Sequence, residues 1–263
     1  MIISRLYIHP IKSLAGIRVD AFSLTDRGPA HDRRWMLVGA DGEFMTQRRH
    51  PRMVLLHTAL EDGALVVCEQ GDPHDSLRIP AVPEAGESLQ VRIWDDVCTA
   101  LHPFMNASAW FSRKLDMDVR LVYMPDSSHR AVDADYAPGG AITSFSDGYP
   151  LLLIGEASLD DLNVRLSVPV SMERFRPNIV IAGAEAYAED GLVDFSIGDI
   201  RFSGVKRCAR CVLTTIDPAT AMGGKEPLRT LAGYRTVEGN VMFGMNLLHV
   251  GTGTVRVGDR LMI

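Results

Sequence analysis

Cysteine is scarce in this chain: Cys68, Cys98, Cys208 and Cys211 are the four among 263 residues, too few and too unevenly spaced for the disulfide framework of a small secreted domain. Long apolar runs are also missing. The longest, such as residues 151–154 and 179–182, fall far short of the roughly 18 residues needed to cross a bilayer. The opening residues 1–8 alternate like a strand and lack the unbroken apolar stretch of a signal peptide. Reduced thiols in a cytoplasmic protein, with no membrane segment, are therefore expected. Positive charge is not in excess either: 27 Lys and Arg against 33 Asp and Glu leave a net charge of -6, which argues against nucleic acid as a partner. No Gly-x-Gly-x-x-Gly signature follows a strand-like segment, and Cys68 with Cys98 does not supply the four thiolates of an iron–sulfur cluster. With 46% hydrophobic and 23% charged residues, the rest is ordinary globular composition, long enough for one large domain or two intimately packed ones.

Short alternating or apolar segments predict strands at residues 2–8, 19–24, 35–38, 54–60, 64–68 and 89–94, with Asp41-Gly42 and Asp62-Gly63 as positive-φ turns. Two segments read as helices. Residues 106–115 have Asn106 as a candidate cap, and in 158–166 Ser158 and Asp161 resemble a capping box while Leu159, Leu162 and Leu166 share a face. Strands are expected again at 179–182, 200–202 and 212–216, with 254–257 and 261–263 closing the last sheet. The spacing predicts a β-barrel or sandwich decorated with helices. The Asp-, Ser-, Pro- and Gly-rich residues 125–141 form a soft boundary or an active-site loop.

The most informative stretch is Cys208-Ala209-Arg210-Cys211, flanked by Lys206 and Arg207. A zinc ribbon needs a second close pair, which Cys68 and Cys98 do not make. A thioredoxin-like dithiol should open a helix, whereas Val212-Leu213-Thr214-Thr215 favours a strand. The cationic neighbours favour a thiolate, a soft ligand for a redox-active metal. Two ordinary strand cysteines beside solvated bases are an equal alternative. Lys12 and Ser13 follow the first strand, Arg33 precedes Trp35, and Arg176 and Asn178 precede the strand at 179–182. Charged groups at converging strand ends reach a ligand without being buried, and an anion is their natural partner. Taken singly, each is better read as a solvated cation; their conjunction is what points to a site.

These motifs, with Lys225-Glu226-Pro227-Leu228 and Phe243-Gly244, resemble those of MOSC proteins that carry an N-terminal MOSC-type β-barrel, the family of the mitochondrial amidoxime-reducing component and its bacterial counterparts. The resemblance runs almost end to end. It implies a mainly β, α+β fold: an antiparallel β-barrel MOSC domain at 125–263 and a smaller β-rich domain at 1–124, with a few decorating helices. It implies a molybdenum–pterin cofactor (molybdopterin) whose metal is held by the Cys211 thiolate, not by Cys208. Lys12, Ser13, Arg33, Arg176, Asn178 and Arg210 would hold the pterin and its phosphate. The segment Ser146-Asp147-Gly148-Tyr149 would face the cofactor too, although Gly148 and Tyr149 stand where relatives carry small hydroxyl residues, leaving backbone contacts.

The implied reaction is reduction of N-hydroxylated small molecules such as amidoximes and hydroxylamino-bases, the cofactor carrying the redox step. Electrons are expected from a separate flavoprotein, ferredoxin or cytochrome. Thr214, Thr215 and Asp217 read as strand-ending, hydrogen-bonding residues ahead of any catalytic role. Two rival readings come from other classes: a carrier of molybdenum cofactor or sulfur, as in the MOSC modules of cofactor sulfurases, and a structural metal-binding protein.

Overall fold

The alternating first residues form the strand Ile2–Ile8, but its longest pairing is with a segment far along the chain. In the computed structural model, which describes residues 1–263, this strand pairs antiparallel with Ile17–Val19 and with Ile179–Ala182. Ile179–Ala182 runs parallel to Leu151–Gly155, and antiparallel ladders continue through Asn240–Val250, Ile200–Ala209, Asp194–Ile197 and Leu261–Met262. With Thr236–Val237 on its flank, this is a nine-stranded sheet. The one parallel pair departs from the antiparallel expectation, and the helix Glu156–Arg165 supplies the crossover that parallel strands need. Both of its strands are almost wholly buried, as their unbroken apolar sequences require.

The remaining residues build smaller sheets. Trp35–Val38, Arg120–Tyr123, Asp96–His102 and Glu87–Ile93 form a four-stranded sheet, and Leu56–Glu61, Ala64–Glu69 and Asp72–Pro80 a three-stranded meander. Asp62 and Gly63 both have positive φ at the first meander turn, as their sequence predicts. Separate apolar clusters support the two regions: Ile3, Leu6, Leu153, Ile181, Phe202 and Leu247 under the large sheet, and Trp35, Met53, Leu65, Phe111 and Leu121 under the small ones.

The chain is therefore mainly β with three α-helices, but the large sheet is not closed into the expected barrel. Its order runs from Ile17–Val19 to Leu261–Met262 with no ladder joining the ends; the chain beside the last strand meets the second strand, Ile2–Ile8, at one bridge between Ile2 and Arg260. The last strand is only two residues long, and its ladder is the one with Asp194–Ile197. The strand Gly253–Arg256 does not join it; it pairs with Ala21–Thr25 in a separate sheet.

Local expectations failed where side chains bonded elsewhere. Residues 212–216 are not a strand: Val212–Thr215 is a 3-10 turn, because the hydroxyls of Thr214 and Thr215 donate to the carbonyls of Cys211 and Val212 at 3.0 and 2.7 Å and fold the backbone back. Asn106 is not a cap, since the helix Met105–Leu115 starts one residue earlier behind Phe104. The capping box at Ser158 does not form. Glu156–Arg165 encloses Ser158, whose buried hydroxyl donates to Glu189 at 2.7 Å and accepts from the Tyr187 amide.

Candidate functional site

Four chain segments are laced together where the strands end. The amide of Arg33 donates to His9 O at 2.8 Å, that of Lys12 to Trp35 O at 2.8 Å, and that of Trp35 to Pro10 O at 3.0 Å. Phe145 N donates to Arg33 O at 3.0 Å, adding the loop of residues 144–148. Asn178 belongs to the fourth segment. Its Oδ1 accepts from Leu152 N at 3.2 Å while its Nδ2 donates to Tyr7 O at 3.2 Å, so one buried amide pins the two strands that flank Ile179–Ala182. Ser13, Arg33 and Arg176 all sit at positive φ, between 49° and 69°. Each non-glycine residue there costs on the order of 1 kcal/mol, a strain that persists only where surrounding bonds over-determine the backbone.

The cleft formed there has a volume of about 930 Å³, its open mouth included. All nine residues expected at the site, Lys12, Ser13, Arg33, Gly148, Tyr149, Arg176, Asn178, Arg210 and Cys211, line it. Lys12, Arg33, Arg48, Arg176 and Arg210 face a single lining carboxylate, Asp147, so the walls carry an excess of four positive charges within a protein of net charge -6. Clustered cations in a concave, partly desolvated setting focus a field that attracts anions.

The partners of these cations fix their direction. Lys12 is buried and donates to Phe145 O at 2.8 Å and to Asp147. Burial lowers its pKa to about 8 even though Asp147 opposes the shift. Burial works to raise the pKa of Asp147, yet Lys12 and Arg48 hold it below the usual carboxylate range. Arg33 donates to Asp32 at 2.6 Å and to Arg176 O at 3.2 Å. Arg176, desolvated and beside Arg33, is lowered to about 9, which still leaves it cationic at neutral pH. Its Nη2 and the Nε of Arg210 are buried without any acceptor. Unmet buried donors are costly, and oxygen atoms of an anionic ligand would satisfy them.

The two site cysteines are held differently. Cys211 lies two residues beyond the strand Ile200–Ala209 and caps the 3-10 turn, and its Sγ accepts from Arg48 Nε at 3.1 Å. Arg48 also donates to Asp147 at 2.8 Å and lies over the Trp94 ring at 4.5 Å. Cys208, in the same cleft, accepts from Arg210 Nη1 at 3.0 Å. The cations expected to surround the Cys-x-x-Cys motif are thus only partly those that do so. Lys206 stacks on Tyr136 at 4.1 Å and Arg207 pairs with Asp190 at 3.6 Å, neither lining the cleft. Asp217 takes a structural part, accepting from the amides of Ala219 and Thr220 and pairing with Arg174 at 2.6 Å.

Sequence reasoning missed Thr46, Arg48 and Asn246, and noted Asp147 only within its loop; all four line the cleft. Nothing local in Thr46-Gln47-Arg48 marks a site, because that loop reaches the cleft from the small-sheet region. No set of three or more His, Cys, Asp or Glu stands together as a metal site, so Cys211 has no protein co-ligands of those types.

Residues 1–118 match the MOSC N-terminal beta barrel domain and residues 141–262 the MOSC domain. Over 98% of its length the chain is 35% identical to mitochondrial amidoxime-reducing component 1 of Mus musculus, covering 80% of that protein. It is 34% identical to mitochondrial amidoxime reducing component 2 of Rattus norvegicus, covering 81% of it. It is also 34% identical over 99% of its length to molybdenum cofactor sulfurase of Solanum lycopersicum, of which it spans 35%. Every residue of the cleft lies within the two matched ranges: the chain belongs to the MOSC family, and its function is tied to the molybdenum cofactor.

Proposed function

We propose that this protein is a molybdenum-cofactor-dependent oxidoreductase that reduces N-hydroxylated small molecules with electrons from a separate donor protein. One observation carries the reading: nine residues scattered from Lys12 to Cys211 line one cleft with a large excess of positive charge and a cysteine sulfur on its wall. The donor set fits a phosphorylated pterin, since Arg176 and Arg210 keep buried N–H groups free for its oxygens. It also fits a metal that brings its own sulfur ligands, because Cys211 stands without a side-chain ligand set. Lys12, Ser13, Arg33, Arg176, Asn178 and Arg210 would hold the pterin and phosphate, with the backbone of Gly148 and Tyr149 beside them, and Cys211 would ligate the metal. When bound, the cofactor supplies the two-electron chemistry that removes oxygen from a nitrogen–oxygen bond.

The chain's own residues do the rest. Arg48 orients the Cys211 sulfur through Nε and restrains Asp147 through Nη2. Asp147, paired with Lys12 and Arg48, stays ionised across the neutral range. All four cysteines are free, in keeping with a reducing compartment. No helix is long and apolar enough to cross a membrane.

Protein made in a host that synthesises the cofactor, assayed with an artificial donor and benzamidoxime, should turn over and contain molybdenum and pterin. Cys211→Ser should lose the metal and the turnover. Wild-type protein loaded with cofactor but inert towards a range of N-hydroxy substrates would refute the reductase reading. A second reading, carriage of cofactor or sulfur without turnover, is favoured by Cys208, whose sulfur shares the cleft under Arg210. Its mark would be a persulfide on Cys208 or Cys211, visible by mass spectrometry as one added sulfur.

A further inference from the structure

A second cavity of about 810 Å³ lies against the cationic cleft, with Arg176 and Leu213 lining both. The loop Thr46-Gln47-Arg48 divides them. Thr46 and Arg48 line the cationic cleft and Gln47 lines the second cavity. Its charge is nearly balanced: Glu173 and Arg176 line it, and Arg174 is neutralised by Asp217 at 2.6 Å. Val54, Leu213, Ile216 and Pro218 give it apolar walls.

Gln47 sets this cavity apart from a packing defect. Its side chain is buried, 3% exposed, yet its Oε1 has no donor. A buried amide oxygen without a partner is rare in folded proteins, and a ligand is one of the few things that explains it. The shared wall residue Arg176 has the complementary defect, a buried Nη2 with no acceptor. One acceptor, Gln47 Oε1, is thus left unmet beside a weakly charged, partly apolar space, the Arg176 donor being the one already assigned to the anion of the neighbouring cleft.

We propose that this second cavity binds the organic part of the substrate, a neutral, flat small molecule whose polar head offers an N–H donor, as a carboxamide or amidoxime does. The assignment rests on the reductase reading for its purpose, but not for its test. Gln47 Oε1 accepts the head's N–H, and the wall shared by the two cavities puts that head at the border of the cleft that holds Cys211. Leu213, two residues beyond Cys211, forms the apolar side of the same border. Charge separates the two spaces: an inorganic anion goes to the five cations, and a neutral amide goes to Gln47.

The test uses the full chain without cofactor and benzamide as the probe, followed by ligand-observed NMR. Benzamide should bind, and saturating sulfate should leave its affinity unchanged. Gln47→Leu, which removes one hydrogen-bonding partner, should weaken it about tenfold. Ala219→Trp, which adds bulk at an exposed turn residue lining the cavity, should abolish it. Circular dichroism and thermal melts check that the variants fold, and if Gln47→Leu does not, Ala219→Trp decides alone. No binding by the wild type, full competition by sulfate, or undiminished affinity in a folded Ala219→Trp protein would overturn the proposal. These measurements need no metal and no turnover, so they can fail while the reductase assay succeeds, and the reverse.

Discussion

Replacing Lys12 with Met should make the empty protein more stable while weakening its grip on anions. Lys12 is 5% exposed and its pKa falls from 10.5 to about 8. That difference of about 2.5 units corresponds to about 3 kcal/mol spent on keeping the ammonium charged inside the fold, Asp147 already being counted in its favour. Methionine fills a similar volume with no charge, and the loss of the bond to Phe145 O returns about 1 kcal/mol, so the net gain at pH 7 is about 2 kcal/mol. The sign follows from linkage: the charging cost is fully present below pH 8 and fades as pH rises from 8 towards 10.5, so wild-type stability climbs through that window relative to Lys12→Met. Urea melts at pH 7 and pH 10 should show the gap shrinking. Sulfate, which does not titrate in this range, reports the other half. Loss of one charge-assisted contact should weaken it by about ten- to a hundredfold, and wild-type affinity should fall as pH passes 8. A variant less stable than wild type with unchanged sulfate affinity would refute the reasoning.

Other consequences can be checked separately. Asn178→Leu should cost about 2–4 kcal/mol in a denaturant melt, because it leaves the buried Leu152 amide and Tyr7 carbonyl unmet by their side-chain partner. Gly204→Ala should be worse tolerated than most core changes, since its Cβ would lie 2.0 Å from the Leu192 carbonyl oxygen; a drop of about 3 kcal/mol in stability is expected. Arg48→Met should weaken sulfate binding without unfolding the protein, as its guanidinium bonds a sulfur and the cleft-facing Asp147 and ties no strands together.

Much of the fold was legible where a residue's neighbours in sequence decide its state. The alternation of residues 2–8, the unbroken Ile179–Ala182 and the Asp62-Gly63 turn each formed as their patterns require. Residues 212–216 were misread because β-branched composition favours a strand only when the ladder is there to receive it; the two threonine hydroxyls found closer partners in their own backbone. Ser158 failed as a cap for the same reason at longer range, its hydroxyl being claimed by Glu189, 31 residues away.

The sequence by itself determined which side chains could serve the site: a cysteine able to act as a thiolate ligand, and cations placed after or before apolar segments, where strands must end. Tertiary structure decided which of them meet. Lys206 and Arg207, nearest Cys211 in sequence among the candidate cations after Arg210, bind Tyr136 and Asp190 instead, while Arg48, 163 residues distant, bonds its sulfur. Register alternates side chains to opposite faces of a strand, so sequence neighbours are often turned away from each other. Contacts between distant loops depend on how whole sheets pack, and no local pattern encodes that.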